Sequence, residues 1–357
     1  MQLGILGLAK AGKTTLFNTL TASEQDTGKF AASKKTHLAT AKVPDPRLER
    51  LRDLYEPKRY VPATVDYIDI PGIQKGEGSQ SLDLAQLRTV DALVHVVRAF
   101  DDPELLHPDG SVDPARDIET IDLELILADL EVVERRLTRL TKSAKGGLSP
   151  EEEKEHQLLS QVILPTLEEE KPLREIELSD EDEKRLRGFQ LLSAKPILLV
   201  LNVAEDQLDT DPLADSSSVT NDARSRRVIV SAPIEEEISR LSPEEQEEFL
   251  DDLGLEEPSL NRVLRESFEL LGLIAFFTVG EDEVRAWTIR RGTRARQAAG
   301  TIHSDLERGF IRAEVIAWDD LLRLGSMSAA RDQGLLRLEG KDYLMQDGDV
   351  AHIRFNV

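Results

Sequence analysis

The spacing of apolar residues changes along the chain, and these changes divide it into segments. Short apolar runs predict strands at residues 2–6, 61–70, 92–97, 196–201 and 228–230. Helical spacing follows the first run, from about Thr14 to Leu20. Apolar strands separated by helices are typical of a parallel sheet that is covered on both faces. The pattern predicts an α/β fold with a doubly wound, mainly parallel sheet.

A segment of different character interrupts the sheet pattern. Across residues 118–194, apolar residues recur at three- to five-residue spacing among Glu and Arg, with a break at Gly146 and a new helix start at Pro150. This spacing predicts two long antiparallel helices, a coiled-coil hairpin inserted into the sheet domain. The polar stretch 23–42 has no apolar period and is predicted to be a loop.

The last third of the chain combines helices with short strands and turns. Helical spacing covers residues 234–271, with Ser242 at a helix start. Residues 276–279 and 286–289 are predicted to pair as a hairpin, and a tight turn precedes a final strand at 350–355. We therefore predict three domains: a sheet domain of residues 1–117 and 195–272, a helical domain of residues 118–194, and a compact C-terminal domain of residues 273–357.

A glycine-containing loop follows the first predicted strand. Residues 7–14 read Gly-Leu-Ala-Lys-Ala-Gly-Lys-Thr, which fits the G-x-x-x-x-G-K-[ST] pattern of a P-loop. Glycines let backbone amides curl around a phosphate, and the following helix points its positive dipole end at that phosphate. We expect Lys13 to reach the β- and γ-phosphate oxygens as a catalytic cation, and Thr14 to ligate Mg²⁺. The residues expected to contact the nucleotide here are Ala9, Lys10, Ala11, Gly12, Lys13, Thr14 and Thr15.

A second phosphate-site element follows the strand predicted at residues 61–70. The sequence Asp69-Ile70-Pro71-Gly72 places Asp69 at the carboxyl edge of the sheet, where ligands bind in such folds. The Asp69 carboxylate is expected to hold Mg²⁺ through water, and the Gly72 amide to approach the γ-phosphate. The next residue is Ile73, which cannot orient a water molecule, so another group must do so.

The segment expected to read the base follows the strand at residues 196–201. GTPases hold guanine there with Asn-Lys-x-Asp, whereas this chain has Asn202-Val203-Ala204-Glu205. The Lys is absent, and a Glu carboxylate reaches one methylene further than that of Asp. We therefore expect ATP rather than GTP. The residues expected around the base are Asn202, Val203, Glu205, Ser231 and Ala232.

Composition narrows the classes of function. The formal net charge is −23 with a pI of about 4.8, which disfavours indiscriminate binding to nucleic acid, and no DNA partner is expected. The chain has no cysteine, which excludes disulfides, thiolate nucleophiles and Cys-ligated zinc. No apolar run approaches the roughly 18–20 residues that span a bilayer, and no basic leader opens the chain. We expect a cytoplasmic protein without a membrane partner.

The predicted C-terminal domain contains a group of arginines, although the chain as a whole has a negative net charge. Trp287 lies among them, and the group comprises Arg285, Arg290, Arg291, Arg294, Arg296, Arg308 and Arg312. Such a cluster could contact phosphates of RNA, in which case binding would weaken steeply with salt. The alternative is that these arginines pair with the nearby acids Glu281, Asp282 and Glu283.

These residues, in this order, resemble the Obg-like ATPase (YchF) family over nearly the whole chain. The likeness is strongest at residues 43–48, 91–98, 117–121 and 128–131, and residues 280–292, 310–316 and 338–343 resemble the TGS domain of that family. The resemblance implies an OBG-type nucleotide-binding domain, an inserted helical hairpin and a β-grasp TGS domain. It also implies association with the ribosome and a regulatory role in translation or stress response.

Three departures from the family pattern bear on the site. Lys10-Ala11 replaces the usual Asn-Val, and we hypothesise that the Lys10 ammonium takes the place of a potassium ion. The switch loop lacks the family motif, which leaves Thr36 as the best second hydroxyl ligand of Mg²⁺ and Thr40 as the alternative. The usual Ala after Asp-Ile is Pro71 here.

The resemblance also points to a group that could orient water. His107 lies in a polar segment that matches a family segment carrying a His with a proposed catalytic role. An imidazole near its ordinary pKa can hold or deprotonate water. Without the resemblance, a His in a polar loop is more often solvent-exposed.

The expected function is that of a Mg²⁺-dependent ATPase whose nucleotide state acts on the ribosome. Binding to the ribosome or rRNA is expected through the TGS and helical domains, and the protein is expected to be a monomer. A GTPase of the same fold is one alternative. A nucleotide-gated binding module with negligible hydrolysis is the other, which the missing glutamine and the altered switch loop favour.

Overall fold

The computed structural model describes residues 1–21, 37–70, 83–143, 147–214 and 222–356. The chain divides into two compact units, each formed by two stretches of sequence. The N-terminal unit comprises Met1–Ala39 and Asp66–Val263, and the C-terminal unit comprises Thr40–Val65 and Leu264–Val357. Residues 118–194 thus lie within the N-terminal unit, and the three-domain division stays a prediction.

The first sheet has six strands in the order β2-β4-β1-β5-β6-β7. Its strands are β1 Gln2–Leu6, β2 His37–Lys42, β4 Thr64–Asp69, β5 Ala92–Ala99, β6 Ile197–Val203 and β7 Ser225–Val230. Strand β1 pairs in parallel with β4 and β5, β5 with β6, and β6 with β7. The predicted doubly wound, mainly parallel α/β fold is confirmed.

Two local predictions in this sheet are wrong. Residues 37–42, predicted as part of a loop, form β2, an edge strand that needs little apolar surface and therefore lacks a clear apolar period. The strand predicted at residues 61–70 is divided at Pro62, and its first part forms β3, Arg59–Val61. Pro62 has no backbone N–H, so a continuous ladder cannot pass through it.

Most helices of the first 270 residues accompany the first sheet or form the insertion. In chain order they are α1 Lys13–Thr21, α2 Pro46–Tyr55, α3 Leu84–Thr89, α4 Pro114–Ser143, α5 Pro150–Leu158, α6 Leu164–Glu168, α7 Asp180–Leu186, α8 Ala232–Ile238, α9 Pro243–Asp252 and α10 Ser259–Leu270. Helix α2 belongs to the C-terminal unit. Leu93 and Val97 of β5 share a core with Ile121 and Leu125 of α4, so this helix is anchored directly on the sheet.

The helical insertion is a hairpin of unequal arms. Helix α4 is 30 residues long, whereas the return arm consists of α5, one π-helical turn at Leu159–Ile163, and the short α6. Val133 and Leu140 pack against Leu159 and Ile163, and Arg136 pairs with Glu155 at 2.7 Å. The predicted second long helix is therefore wrong beyond Glu168, because short 3₁₀ turns and α7 complete the return.

The C-terminal unit contains the second sheet, in the order β11-β10-β12-β8-β9-β3. Its remaining strands are β8 Leu273–Thr278, β9 Glu283–Arg290, β10 Phe310–Ala317, β11 Arg337–Glu339 and β12 Asp349–Phe355, and its remaining helices are α11 Ala295–Ile302, α12 Ser304–Arg308, α13 Trp318–Leu324 and α14 Met327–Asp332. The predicted hairpin is confirmed, with Phe276 opposite Trp287. Strand β3 pairs in parallel with β9 at one edge of the sheet.

Arg47 links the two stretches of sequence that make up the C-terminal unit. Its guanidinium bonds Asp45 at 2.9 Å and Asp347 at 2.8 Å, and it lies over the ring of Phe277. Among the described residues, no helix is both long enough and apolar enough to cross a membrane.

Candidate nucleotide-binding site

The P-loop joins β1 to α1 and has a backbone that only glycine tolerates at two positions. Gly7 has φ +146° and Gly12 has φ +95°. A Cβ atom at Gly7 would lie closer than 3.0 Å to the Val96 carbonyl oxygen, and one at Gly12 equally close to the side chain of Asn202. Both positions therefore require glycine, and glycines are the residues that let backbone amides of such a loop turn towards a phosphate.

Lys13 begins α1 and is 7% exposed. Its Nζ donates a hydrogen bond of 2.7 Å to the Leu8 carbonyl oxygen across the loop. Burial lowers the pKa of Lys13 to about 8, although the nearby Asp69 carboxylate acts in the opposite direction. The loop therefore holds an amine whose ammonium form a polyphosphate would stabilise.

Thr14 and Asp69 meet at the carboxyl end of β4. The Thr14 hydroxyl donates to Asp69 Oδ2 at 3.2 Å, and Asp69 is itself buried. Burial raises the pKa of Asp69, while Lys13 and the Thr14 hydrogen bond act against that rise. A hydroxyl and a carboxylate side by side are the hard oxygen donors that Mg²⁺ takes, so these residues fit the metal.

The other residues predicted at the phosphates either lie outside the described residues or differ in exposure. Thr36 and Gly72 lie outside the described residues. Thr40 is exposed in β2, and Lys10 is exposed with a left-handed φ of +64°. Ala11 is buried, and Ala9 and Thr15 are half-buried.

Asn202 connects the P-loop to the segment predicted to read the base. Its Nδ2 donates to the Ala11 carbonyl oxygen and its Oδ1 accepts from the Ala232 amide, each at 3.0 Å. Both ends of this buried amide are therefore bonded to backbone. Asn202 fixes one loop relative to the other, which is a role that the pattern of residues alone did not indicate.

The neighbouring base-site residues differ in exposure. Val203 and Ser231 are buried, and the Ser231 hydroxyl has no hydrogen-bond partner among the described residues. Ala232 begins α8, with Pro233 in its first turn. Glu205 is exposed at the start of a 3₁₀ turn, so its carboxylate is accessible to a ligand.

His107 is buried rather than solvent-exposed. Its Nε2 lies 2.9 Å from Asp117 Oδ2, and its Nδ1 accepts from the Asp109 amide at 3.1 Å. With Nδ1 accepting from the Asp109 amide, Nε2 is the ring nitrogen that can donate to Asp117. Arg116 also binds Asp117, at 2.8 Å. Sequence reasoning missed Asp117, whose position in the first turn of α4 becomes meaningful only in three dimensions.

Sequence reasoning also missed Arg98, which organises the loop before His107. The signal was present, since this charged residue directly continues the apolar run at residues 92–97. The side chain is 2% exposed and bonds carbonyl oxygens of the following loop.

The arginines of the C-terminal unit have local partners. Arg285 stacks over Trp287 at 4.1 Å and lies 3.8 Å from Glu283. Arg294 pairs with Asp342 at 2.7 Å. Arg308 pairs with Asp305, and Arg296 donates to the Glu307 carbonyl oxygen. Several members of the group therefore have acidic or carbonyl partners, so part of their charge is compensated.

Comparisons with known proteins cover both ends of the chain. Residues 2–129 match the family described as 50S ribosome-binding GTPase. Residues 273–356 match the C-terminal YchF-GTPase family, described as a protein of unknown function. The first match contains the P-loop and Asp69, and the second covers the second sheet except β3.

Similar proteins extend along the full chain. The ribosome-binding ATPase YchF of Bacillus subtilis (strain 168) is 45% identical, with 99% of each chain covered. Obg-like ATPase 1 of Oryza sativa subsp. japonica is 38% identical, with 100% of this chain and 92% of that protein covered. The solved structure of the Schizosaccharomyces pombe YchF GTPase has a TM-score of 0.84 at 31% identity, and the match covers 99% of this chain and 97% of that one. The chain belongs to the YchF family.

Proposed function

We propose that this chain is a Mg²⁺-dependent ATPase that hydrolyses ATP to ADP and phosphate and acts as a nucleotide-switched regulator on the ribosome. The observation that carries the proposal is the convergence of Lys13, Thr14 and Asp69 at one edge of the first sheet. Relatives that cover the whole chain are named ribosome-binding ATPases, which supports both parts of the proposal. We also propose that the protein acts as a cytoplasmic monomer.

Each residue at the phosphates has a proposed role. The P-loop amides and Lys13 hold the β- and γ-phosphates, and the Gly72 amide approaches the γ-phosphate. Thr14 would ligate Mg²⁺ and Asp69 would hold it through water, with Thr36 as the second hydroxyl ligand and Thr40 as the alternative. Bound Mg²⁺ would neutralise charge that develops on the phosphate oxygens.

Which base the site binds distinguishes the proposed ATPase from the alternative, a GTPase. Asn202, Val203, Glu205, Ser231 and Ala232 are proposed to surround the base. The family matched at residues 2–129 and the yeast structure are both named GTPases, which keeps GTP as the second candidate. Thermal shift with ATP and GTP separates the two, since each ligand stabilises by an amount set by its affinity. Greater stabilisation by GTP would contradict the ATP preference.

We propose that His107 orients or activates the attacking water. Its ring nitrogens bond Asp109 and Asp117, so the role requires the Asp109 amide to release Nδ1 when nucleotide binds. Single-turnover hydrolysis by the His107→Ala variant tests this role. Turnover near that of the unmodified protein would remove His107 from the mechanism.

The second alternative is a binding module without hydrolysis. If the unmodified protein binds ATP but releases no phosphate in a single turnover, this alternative is correct and the ATPase proposal fails. The same assay tests a second proposal, that the Lys10 ammonium takes the place of a potassium ion. Strong stimulation of hydrolysis by added K⁺ would contradict that role.

The arginine group is proposed to contact ribosomal RNA. Arg290 is the last residue of β9 and Arg291 follows it directly, so charge reversal at both sites is expected to weaken co-sedimentation with ribosomes. The matched control reverses both Arg323 and Arg331, in α13 and α14 of the same unit, where these arginines pair with Asp320 and Glu314. Co-sedimentation that is unchanged by reversal of Arg290 and Arg291 would exclude this surface.

A further inference from the structure

Arg98 occupies an unusual position for a charged residue. It lies near the end of β5, in register with Asn202 of β6, and its side chain is 2% exposed. Asn202 in turn holds the P-loop through the Ala11 carbonyl oxygen. The backbone of Arg98 is therefore fixed beside a residue that contacts the phosphate-binding loop.

The Arg98 guanidinium bonds the loop that follows its own strand. Its Nε donates to the Phe100 carbonyl oxygen at 3.1 Å, its Nη1 to that of Leu105 at 2.9 Å, and its Nη2 to that of Asp102 at 3.5 Å. The guanidinium also lies over the Phe100 ring, 4.7 Å from its centre. One side chain thus bonds both ends of the segment from Phe100 to Leu105.

This arrangement depends on the shape of the side chain and not only on its charge. A guanidinium presents five N–H donors in a planar fork, whereas a lysine ammonium is a single point that cannot reach three separated carbonyl groups. Burial lowers the pKa of Arg98, while Asp102, Asp101 and Asp117 act against this. A buried cation is costly, and here it is bonded to neutral carbonyl groups.

The loop is held at its far end by a second set of contacts. His107 Nε2 bonds Asp117 and its Nδ1 accepts from the Asp109 amide. The loop between Arg98 and His107 is therefore fixed at both ends, to β5 and to the first turn of α4.

We infer that Arg98 is a positioning residue that fixes the loop carrying His107. The inference rests on the proposed catalytic role of His107, but the fixing of the loop is measurable without it. Because the hydrogen bonds of the Arg98 guanidinium go to residues 100–105, its loss should affect turnover more than nucleotide affinity.

The test compares Arg98→Lys with the unmodified protein in two measurements. Single-turnover hydrolysis is expected to fall about tenfold or more, because displacement of a catalytic group by about 1 Å can cost up to about a hundredfold. The Kd for Mg²⁺–ATP is expected to stay within about twofold, since the P-loop is intact. Amide hydrogen exchange across residues 101–107 is expected to accelerate.

Two further variants keep the test decisive. Arg174→Lys is the matched control, because Arg174 is also buried but bonds Asp122 in the helical insertion, and it should leave exchange at residues 101–107 unchanged. Phe100→Leu removes the stacked ring and leaves Arg98 itself unchanged, and a smaller effect in the same direction is expected if Arg98→Lys does not fold.

The outcomes separate the inference from the proposed function. Unchanged exchange in Arg98→Lys, or in Phe100→Leu where the lysine variant does not fold, overturns the inference. Loss of ATP affinity in parallel with turnover overturns it as well. Faster loop exchange in Arg98→Lys would support the fixing of the loop even if His107→Ala turned over normally. Normal turnover in His107→Ala would reject only the catalytic role of His107.

Discussion

The side-chain amide of Asn202 donates a hydrogen bond of 3.0 Å to the carbonyl oxygen of Ala11. The Oδ1 atom of the same side chain accepts a hydrogen bond of 3.0 Å from the Ala232 amide. Two loops that are far apart in sequence are thus fixed relative to each other. Holding two loops in one arrangement reduces the ordering cost of binding.

Gly12→Ala is expected to disturb this link. The substitution introduces a Cβ atom at φ +95° that collides with the Asn202 amide. The matched control is Gly147→Ala, since Gly147 has φ +88° but no atom near its Cβ position. Overpacking is expected to make Gly12→Ala about 1–3 kcal/mol more destabilising than the control in urea unfolding. Equal destabilisation would show that the collision is relieved at no cost.

Lys13 should make nucleotide binding depend on pH. Its pKa in the free protein is about 8, and a bound polyphosphate favours the ammonium and raises that pKa. Above pH 8 binding therefore takes up a proton, so affinity falls as pH rises further. Calorimetric titration with ATP at pH 9, in buffers of different ionisation enthalpy, is expected to show uptake of about one proton. Lys13→Arg stays charged throughout, and proton uptake that persists in this variant would contradict the assignment.

Glu235 should make the stability of the N-terminal unit depend on pH. Burial raises the pKa of Glu235 to about 7, and its carboxyl group accepts from the Ser259 amide at 2.7 Å. Between the ordinary value of 4.5 and 7 the folded state binds more protons than the unfolded state, so the free energy of unfolding falls as pH rises across this range. Above pH 7 the whole cost of the buried carboxylate is present.

Glu235→Gln removes this titration and keeps an oxygen that accepts from Ser259. The variant is expected to raise the free energy of unfolding by about 2 kcal/mol at pH 8 and to change it little at pH 5. Urea unfolding at the two pH values measures the difference. The same change at both values would mean that packing, and not the charge, is responsible.

Asp129 joins α4 to the end of the helical insertion. Its wholly buried carboxylate accepts from the amides of Leu192 and Ser193 at 2.8 and 2.7 Å, and from Arg88 of α3 at 3.3 Å. Asp129→Ala removes the acceptor of both buried amides and the carboxylate partner of Arg88, and it is expected to cost about 3–5 kcal/mol in denaturant unfolding. Asp129→Asn keeps an acceptor oxygen and should cost less. A cost of Asp129→Ala below about 1 kcal/mol would contradict the role assigned to this carboxylate.

Local sequence was sufficient for the elements whose physics is local. The buried runs that became β5 and β6 were predicted because both faces of a parallel strand must be apolar. The P-loop was predicted because Gly12, Lys13 and Thr14 are adjacent, so their spacing carries the chemistry. The second sheet's hairpin was predicted because its two strands are separated by only a short turn.

Contacts between distant residues could not be predicted in this way. His107 sits in a polar segment, yet it is buried because Asp117 and the Asp109 amide satisfy its ring. Asn202 was expected at the base, yet both ends of its amide bond backbone groups of other segments. Strand β2 was missed because an edge strand can form from residues with no apolar period, provided that a neighbour supplies the ladder.

The pairing of Arg47 with Asp347 spans 300 positions of sequence. Strand β3 likewise pairs with β9, so the early stretch Thr40–Val65 is a structural part of a unit completed only by the last residues of the chain. During synthesis, this stretch therefore cannot form its native pairings until its distant partners have been translated. Such long-range closure is entropically expensive and slow, so the order of translation makes this unit the last part of the molecule to mature.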